Sequence, residues 1–168
     1  LKAAGIARDE IECLAVGIGP GSYTGIRSSI AIAQGWQLGT GVKLCSVSSV
    51  DILAGSADVE GEFVVAVDAQ RGEFYAAGYR RLESALTATG ELRIVTVEEL
   101  FSMAGGDLPI VGPDIRRFDG RGIEVFPDAA VLARKAAEEG SYVEGADLEP
   151  IYLRALEFRK APPARIID

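Results

Sequence analysis

Apolar and polar positions change their period along this chain, and the change predicts an α/β fold. Apolar runs of strand length occur at Cys13–Ile18, Val42–Val47 and Phe63–Ala69, whereas a repeat of three to four residues predicts helices at Gly25–Leu38 and Ala129–Glu139. Strands and helices alternate, with a hairpin near the middle, so we expect a sheet of mixed pairing. The other predicted elements are helices at Leu1–Ala7, Ser48–Ala57 and Val97–Met103 and strands at Glu73–Arg80, Glu91–Val95, Pro109–Val111 and Gly122–Val125.

A glycine-rich turn joins the first strand to the longest helix, in the stretch LAVGIGPGSYTGIRSSIAIAQGWQL. Glycine permits sharp turns with positive φ, and Ser22 or Thr24 can cap the helix that begins after the turn. A capped helix N-terminus attracts anions, so one interpretation is a phosphate or nucleotide site and the other is a plain strand-to-helix connection. The residues of this candidate loop are Gly19, Pro20, Gly21, Ser22, Thr24 and Gly25.

The spacing of the turn excludes three familiar motifs. A dinucleotide fingerprint would need a third glycine at Ser22 or Thr24, and a P-loop would need a lysine, which is absent between Lys2 and Lys43. A nucleophile elbow would need glycines where Pro20 and Thr24 stand. The turn therefore belongs to another class.

The composition of the chain limits the functions that it can have. The chain of 168 residues has a net charge of −8, so we expect contact with a nucleic acid only indirectly. It contains no histidine, the commonest general base and metal ligand, and we predict no catalytic residue, no metal and no cofactor. Cys13 and Cys45 lie in strand-like runs and are expected to be reduced core residues of a cytoplasmic protein. No apolar run is long enough for a membrane span.

Two further features invite interpretation. Ala31, Gly35 and Gly39 recur every four residues on the long helix, beside Ile32 and Trp36. Glycine costs up to about 1 kcal/mol in a helix interior, so this stripe calls for a reason. A partner interface and close packing inside the chain are equally compatible with it.

Asp68 is the acidic residue of an apolar run, followed closely by Arg71. It is either part of a polar site for a ligand or cation, or it ends the strand by bonding the turn or pairing with Arg71. The second interpretation is the simpler one.

The chain resembles the TsaB (YeaZ) family of bacterial tRNA threonylcarbamoyladenosine biosynthesis proteins. The resemblance rests on GIGPGSYTGIRSSIAIAQG, VKLCSVSSVDILA, VDAQRGEFYAAGY, VGPDI and LEPIYLR, which together span almost the whole chain. It implies an actin-like, sugar-kinase-like fold of two ribonuclease H-like lobes, which we place at residues 1–57 and 58–168. Family members begin with a strand carrying an Asp-Thr-Ser signature. No such segment precedes Leu1, so we expect N-terminal strands to be missing here through processing, a misplaced start or the choice of boundaries.

The resemblance also implies a role. TsaB is the non-catalytic partner of its paralogue TsaD, which it supports together with the ATPase TsaE. The paralogue carries two metal-binding histidines whose places fall near Ser49 and Leu53 here, and neither residue replaces an imidazole. The resemblance therefore predicts a TsaD- and TsaE-binding subunit, with a homodimer when it is alone.

Two other functions compete with the subunit role. An actin-fold kinase or ATPase would hold phosphate in the Gly19–Gly25 loop and would need Asp68 for magnesium. A peptidase is suggested by an older glycoprotease label of the family, but without histidine or a paired nucleophile it has no groups from which to build a site.

Overall fold

The computed structural model describes residues 2–113, 115, 118 and 120–154, and in these residues strands and helices alternate as predicted. The basic tail marked by Arg159, Lys160 and Arg165, which the sequence predicts to be loose, lies outside the described residues. The strands are β1 Cys13–Gly17, β2 Lys43–Val47, β3 Gly61–Asp68, β4 Glu73–Leu82, β5 Ala85–Ala88, β6 Arg93–Thr96, β7 Ile110–Gly112 and β8 Gly122–Glu124, and the helices are α1 Tyr23–Thr40, α2 Ser49–Ser56, α3 Val97–Met103 and α4 Ala129–Glu139.

The first sheet consists of β1 and β2, which run parallel with Leu14 opposite Leu44. Helix α1 covers one face of this pair through its buried residues Ile30 and Ala33. Helix α4 covers the other face, where Val131 packs against β2. In the sequence, Ile26, Ile30, Ala33 and Gln37 share one stripe of the long helix, which predicts its sheet-facing side. The burial of Ile30 and Ala33 confirms this side.

The second sheet is mixed. Its order is β5-β4-β3-β7-β8, and β6 pairs with β4 beside β5. Strands β3 and β4 form the predicted hairpin, while β3, β7 and β8 run parallel. Leu53 of α2 packs near Phe63 on one face, and Leu100 of α3 packs near Phe74 on the other. Within the described residues, no helix has both the length and the apolar character needed to cross a membrane.

Local signals set the helix ends. Asp128 accepts a hydrogen bond from the Ala130 amide and begins α4, which Gly140 ends with φ +60°. Thr96 and Glu99 form a reciprocal capping box at the start of α3. Such caps satisfy amide groups that the helix itself leaves unpaired, which explains why the sequence predicts these boundaries closely.

Close contacts join the first part of the chain to the second. A Cβ at Gly55 of α2 would lie 2.6 Å from Val131 of α4, so only glycine allows this approach without a shift. The Asp128 amide donates to the Ser56 hydroxyl at 3.0 Å. Arg81 on β4 donates to the Ala54 carbonyl at 2.9 Å, at the end of α2. The division into lobes at residues 57 and 58 stays a prediction, and these contacts cross it.

Local structure differs from the prediction in two places. The helix predicted at Leu1–Ala7 is wrong over the described residues 2–7, where the chain forms a short 3₁₀ turn at Lys2–Ala4, followed by another at Arg8–Glu10. Gly5 has φ +67° and the residues around it are exposed, so no apolar stripe holds a helix there. The sequence does not predict strand β5, which forms because the hairpin continues past Leu82 and pairs back along β4.

Candidate functional site

A cleft of roughly 790 Å³ opens between the glycine-rich loop and the end of the β3–β4 hairpin. The loop and the first turns of α1 form one wall, and α2 contributes Ser49 and Leu53. The hairpin forms the opposite wall with residues 67–70 and Tyr75. The structure thus brings the candidate loop and the candidate polar residue Asp68 into one site.

Hydrogen bonds tie the loop to the start of α2. The Gly19 amide donates to the Ser49 hydroxyl at 3.1 Å, and the Ser49 amide donates to the Gly19 carbonyl at 2.7 Å. Gly19 has φ +101°, a conformation that favours glycine, and a Cβ there would lie 2.9 Å from the Ile26 side chain. The peptide between Gly19 and Pro20 is cis. Both residues are buried, so this part of the loop is a fixed support for the start of α1.

Ser22 begins α1, and its hydroxyl accepts a hydrogen bond from the Gly25 amide at 3.3 Å. Of the two caps the sequence allows, Ser22 is therefore the one used, while Thr24 lies in the first turn and is exposed. Gly21 and Gly25 are exposed as well and line the cleft. The open end of the helix consequently faces the cleft, as an anion site would require.

On the opposite wall, Asp68 organises the hairpin turn. Its carboxylate accepts a hydrogen bond from the Gln70 amide at 2.7 Å. Gln70 and Arg71 have φ values of +66° and +61°, which non-glycine residues seldom adopt. Arg71 is exposed. The hydrogen bond from the Gln70 amide agrees with the turn-bonding interpretation of Asp68, and a polar site at Asp68 and Arg71 stays a prediction.

The described lining of the cleft holds little of the positive charge that a phosphate needs. Among the described residues that line it, Asp68 is the charged one, and no lysine or arginine joins it. The other polar groups are hydroxyls and an amide, such as Ser29 and Gln70. An anion in the cleft would meet the N–H groups at the start of α1 and would also lie near the Asp68 carboxylate.

Burial raises the pKa of two cysteine thiols and of one tyrosine hydroxyl. Burial raises the pKa of the Cys13 and Cys45 thiols. Cys45 is buried and the partly buried Cys13 packs in the same cluster, which agrees with the core role predicted for them. Burial, reinforced by a 2.7 Å hydrogen bond to Asp51, raises the pKa of Tyr79 well above its ordinary value. The hydrogen bond from the Tyr79 hydroxyl to Asp51 also connects β4 to the first turn of α2.

The stripe of small residues on α1 faces outward. Ala31, Gly35 and Gly39 are exposed, and nothing lies within 4 Å of a Cβ built on either glycine. Internal packing therefore does not explain these two glycines. Ile32 is 66% exposed, whereas Trp36 is half-buried and packs against the first core.

Sequence reasoning missed the role of residues 148–154, which we name the clasp. Leu148 is buried in the first core, and the Ile151 amide donates to the Ile18 carbonyl at 2.9 Å beside the loop. Arg154 pairs with Glu73 on β4. The clasp thus links the glycine-rich loop to the second sheet. Its sequence signal is the motif LEPIYLR, which indicates an extended segment and does not disclose these distant partners.

Comparison with known proteins places the chain among its relatives. The family model for TsaD, tRNA N6-adenosine threonylcarbamoyltransferase, matches residues 1–135. The tRNA threonylcarbamoyladenosine biosynthesis protein TsaB of Escherichia coli is 33% identical over 92% of this chain and 75% of its own length. The chain belongs to the TsaB (YeaZ) family. TsaB proteins are named for tRNA threonylcarbamoyladenosine biosynthesis, and this is the role that the family assigns.

Solved structures agree with the TsaB assignment. YeaZ from Pseudomonas aeruginosa superposes with a TM-score of 0.75, at 26% identity over 90% of this chain and 79% of that one. A structure described as an uncharacterized protein with similarity to peptidase YEAZ from Pseudomonas aeruginosa also gives 0.75, at 27% identity over 91% and 78%. The fold is therefore the actin-like, ribonuclease H-like α/β fold that the sequence predicts.

Proposed function

We propose that this TsaB-family chain is a non-catalytic subunit that binds a TsaD-type protein and supports it, together with TsaE, in tRNA threonylcarbamoyladenosine formation. The family model that matches residues 1–135 is that of TsaD, and the TsaB relatives are named for the same tRNA modification. The tRNA-modification role leads us to infer a cytoplasmic location.

The exposed face of α1 carries this proposal. The helix has 18 residues and a single charged one, Arg27. Ile32 and Leu38 are 66% and 90% exposed, and two glycines between and beside them leave room for a second helix to approach. A surface helix that only meets water is normally charged on that side. An apolar face with small residues instead suits contact with another protein.

The residues available for catalysis support the subunit role. The sequence has no histidine, and within the described residues no three His, Cys, Asp or Glu side chains are grouped as metal ligands. At the places that the resemblance assigns to metal-binding histidines, Ser49 bonds the Gly19 amide and Leu53 is buried in the core. Both residues have structural roles, so neither is available for metal chemistry.

The charge of the chain indicates how tRNA is involved. A net charge of −8 repels a phosphate backbone. We therefore propose that tRNA contacts this subunit only indirectly, with its binding left to the partner. In the absence of that partner, the uncovered face of α1 would pair two copies of the chain.

The test is reconstitution with TsaD and TsaE from the same organism. Purified components are mixed, complexes are separated by size-exclusion chromatography, and tRNA threonylcarbamoylation is measured with and without this chain. We expect a stable complex with TsaD and modification that depends on the subunit. Modification that proceeds equally well without the chain, together with failure to form the complex, would contradict the proposal.

A nucleotide-binding function is a second candidate, favoured by the helix N-terminus that opens into the cleft. The absence of a lysine or arginine from the described lining weighs against it. Titration of the isolated chain with ATP and ADP, with and without magnesium, separates the two. Submillimolar affinity lost in Ser22→Pro but kept in Arg71→Ala would support a nucleotide site in the loop.

A further inference from the structure

Two tyrosines hold the single charged side chain of α1 in place. The Arg27 Nη1 atom donates a hydrogen bond to the Tyr152 hydroxyl oxygen at 3.1 Å. The guanidinium carbon also lies 5.4 Å from the centre of the Tyr23 ring, within range of a cation–π interaction. The two tyrosine rings are 6.4 Å apart. The orientation of the arginine is therefore set within the chain itself.

The clasp holds Tyr152, one member of this cluster, in position. Tyr152 comes directly after Ile151, whose amide donates to the Ile18 carbonyl at 2.9 Å. Two residues later Arg154 pairs with Glu73. The backbone on both sides of Tyr152 is thus anchored, one side on the glycine-rich loop and the other on β4.

Arg27 has no carboxylate partner among the residues that the structure describes, although the chain holds 25 acidic and 17 basic residues. A guanidinium group has five N–H donors, and the bond to Tyr152 uses one side of it. Tyr23 and Tyr152 are 59% and 44% exposed. An exposed cluster of this kind adds little stability to the isolated chain, because solvent competes for its contacts.

The cluster is continuous with the partner surface proposed above. Tyr23, Arg27, Ala31 and Gly35 are spaced by four residues, so they form one stripe along the exposed side of α1. Leu38 lies further along the same flank and is 90% exposed. The stripe therefore runs from a positive, aromatic end to an apolar end.

We propose that Arg27 is the anchor of this surface and binds a carboxylate of the partner protein, an inference that rests on the proposed subunit role. Arginine and tyrosine are over-represented among the residues that dominate binding energy. The planar guanidinium group matches a carboxylate with two parallel hydrogen bonds. Arg27 is the single charged residue of α1, so a partner carboxylate that meets this helix has one cation to pair with, and that pairing fixes the register of the contact.

The experiment measures the affinity of the full chain for the TsaD-type protein of the same organism by isothermal titration calorimetry. Arg27→Ala should weaken binding by at least about tenfold, and Arg27→Lys should weaken it less. Tyr152→Phe keeps the ring but removes the hydroxyl that orients Arg27, so a several-fold loss is expected. Arg134→Ala, at an exposed arginine of α4, is the matched control and should change affinity by less than about twofold.

The outcomes distinguish this inference from the proposed function. Thermal melts should be the same for all four variants, since the cluster is exposed. If the unaltered chain binds and Arg27→Ala binds equally well, Arg27 is not the anchor of the surface, and the proposed subunit role is unaffected. If the unaltered chain does not bind, the subunit role itself is wrong. Rescue of Arg27→Glu by an acidic-to-lysine change in the partner would identify the carboxylate directly.

Discussion

Helices α1 and α4 cover opposite faces of the same two-stranded sheet, yet their outer sides differ. Helix α4 turns Arg134, Glu138 and Glu139 to the solvent. Helix α1 turns Ile32 and Leu38 outward. Both helices bury similar small apolar residues inward. Packing against the sheet explains the inner faces of both helices. It does not explain the apolar outer face of α1, which we assign to contact with a partner.

The largest effect is expected where α1 meets the sheet. Ile30 is 5% exposed, so Ile30→Ala should lower the free energy of unfolding by about 2–4 kcal/mol through loss of buried volume. Ile32→Ala, two residues away and 66% exposed, should change it by less than about 0.5 kcal/mol. Urea denaturation measures both. Equal losses would show that α1 does not have the two distinct faces described.

A change on the outer face should affect binding instead. Nothing lies within 4 Å of a Cβ at Gly35, so Gly35→Leu should fold normally and gain up to about 1 kcal/mol from helix propensity. The added side chain would hold a partner helix away and weaken binding by at least about tenfold, or 1.4 kcal/mol. Ala133→Leu on the exposed side of α4 is the control. Unchanged binding by Gly35→Leu would show that α1 is not part of the interface.

Buried Tyr79 should make the stability of the chain depend on pH. Because the pKa of Tyr79 is raised in the folded chain, the stability it contributes is fully present below its ordinary pKa of about 10 and is lost as the pH rises beyond that value. Unfolding free energies measured from pH 8 to 11 should fall less steeply in Tyr79→Phe. A slope in Tyr79→Phe as steep as that of the unaltered chain would contradict the burial argument.

The smallest effect concerns the clasp. Arg154 and Glu73 are partly exposed, with side-chain exposures of 31% and 39%, so their coupling should be about 0.2–1 kcal/mol. A double-mutant cycle with Arg154→Met and Glu73→Gln measures it, and the value should shrink as salt is added. A coupling that is absent at low salt would mean that the clasp is held by its backbone and Leu148 alone.

The features that could be predicted are those with local causes. The glycine-rich loop, the Ser22 cap and the sheet-facing side of α1 are each determined by a few neighbouring residues. Helix α4 is bounded by Asp128 and Gly140, whose cap roles are also local. The outer face of α1 is visible in the sequence only as an unexplained stripe, since two explanations fit it equally until the space around Gly35 is known.

The features that escaped prediction depend on distant contacts. Nothing beside Tyr152 indicates that Arg27, 125 residues earlier, would bond to its hydroxyl. Likewise Arg81 caps the end of α2 only because β4 passes beside that helix. Strand β5 forms because it pairs along β4. Its own sequence is short and weakly apolar and does not predict a strand. In each of these cases the folded arrangement supplies the partner, so the local sequence carries little signal.

Hydroxyl-radical footprinting of the chain, with and without the TsaD-type protein, tests whether the outer face of α1 is the surface that the partner covers. It reports the solvent exposure of individual side chains on both helices in one experiment. We predict that Tyr23, Ile32 and Leu38 on α1 become protected in the complex, while Leu132 on α4 and Leu82 at the hairpin keep their reactivity. Complex formation without protection of α1, or with protection at α4 instead, would contradict the assignment of α1 to the partner interface.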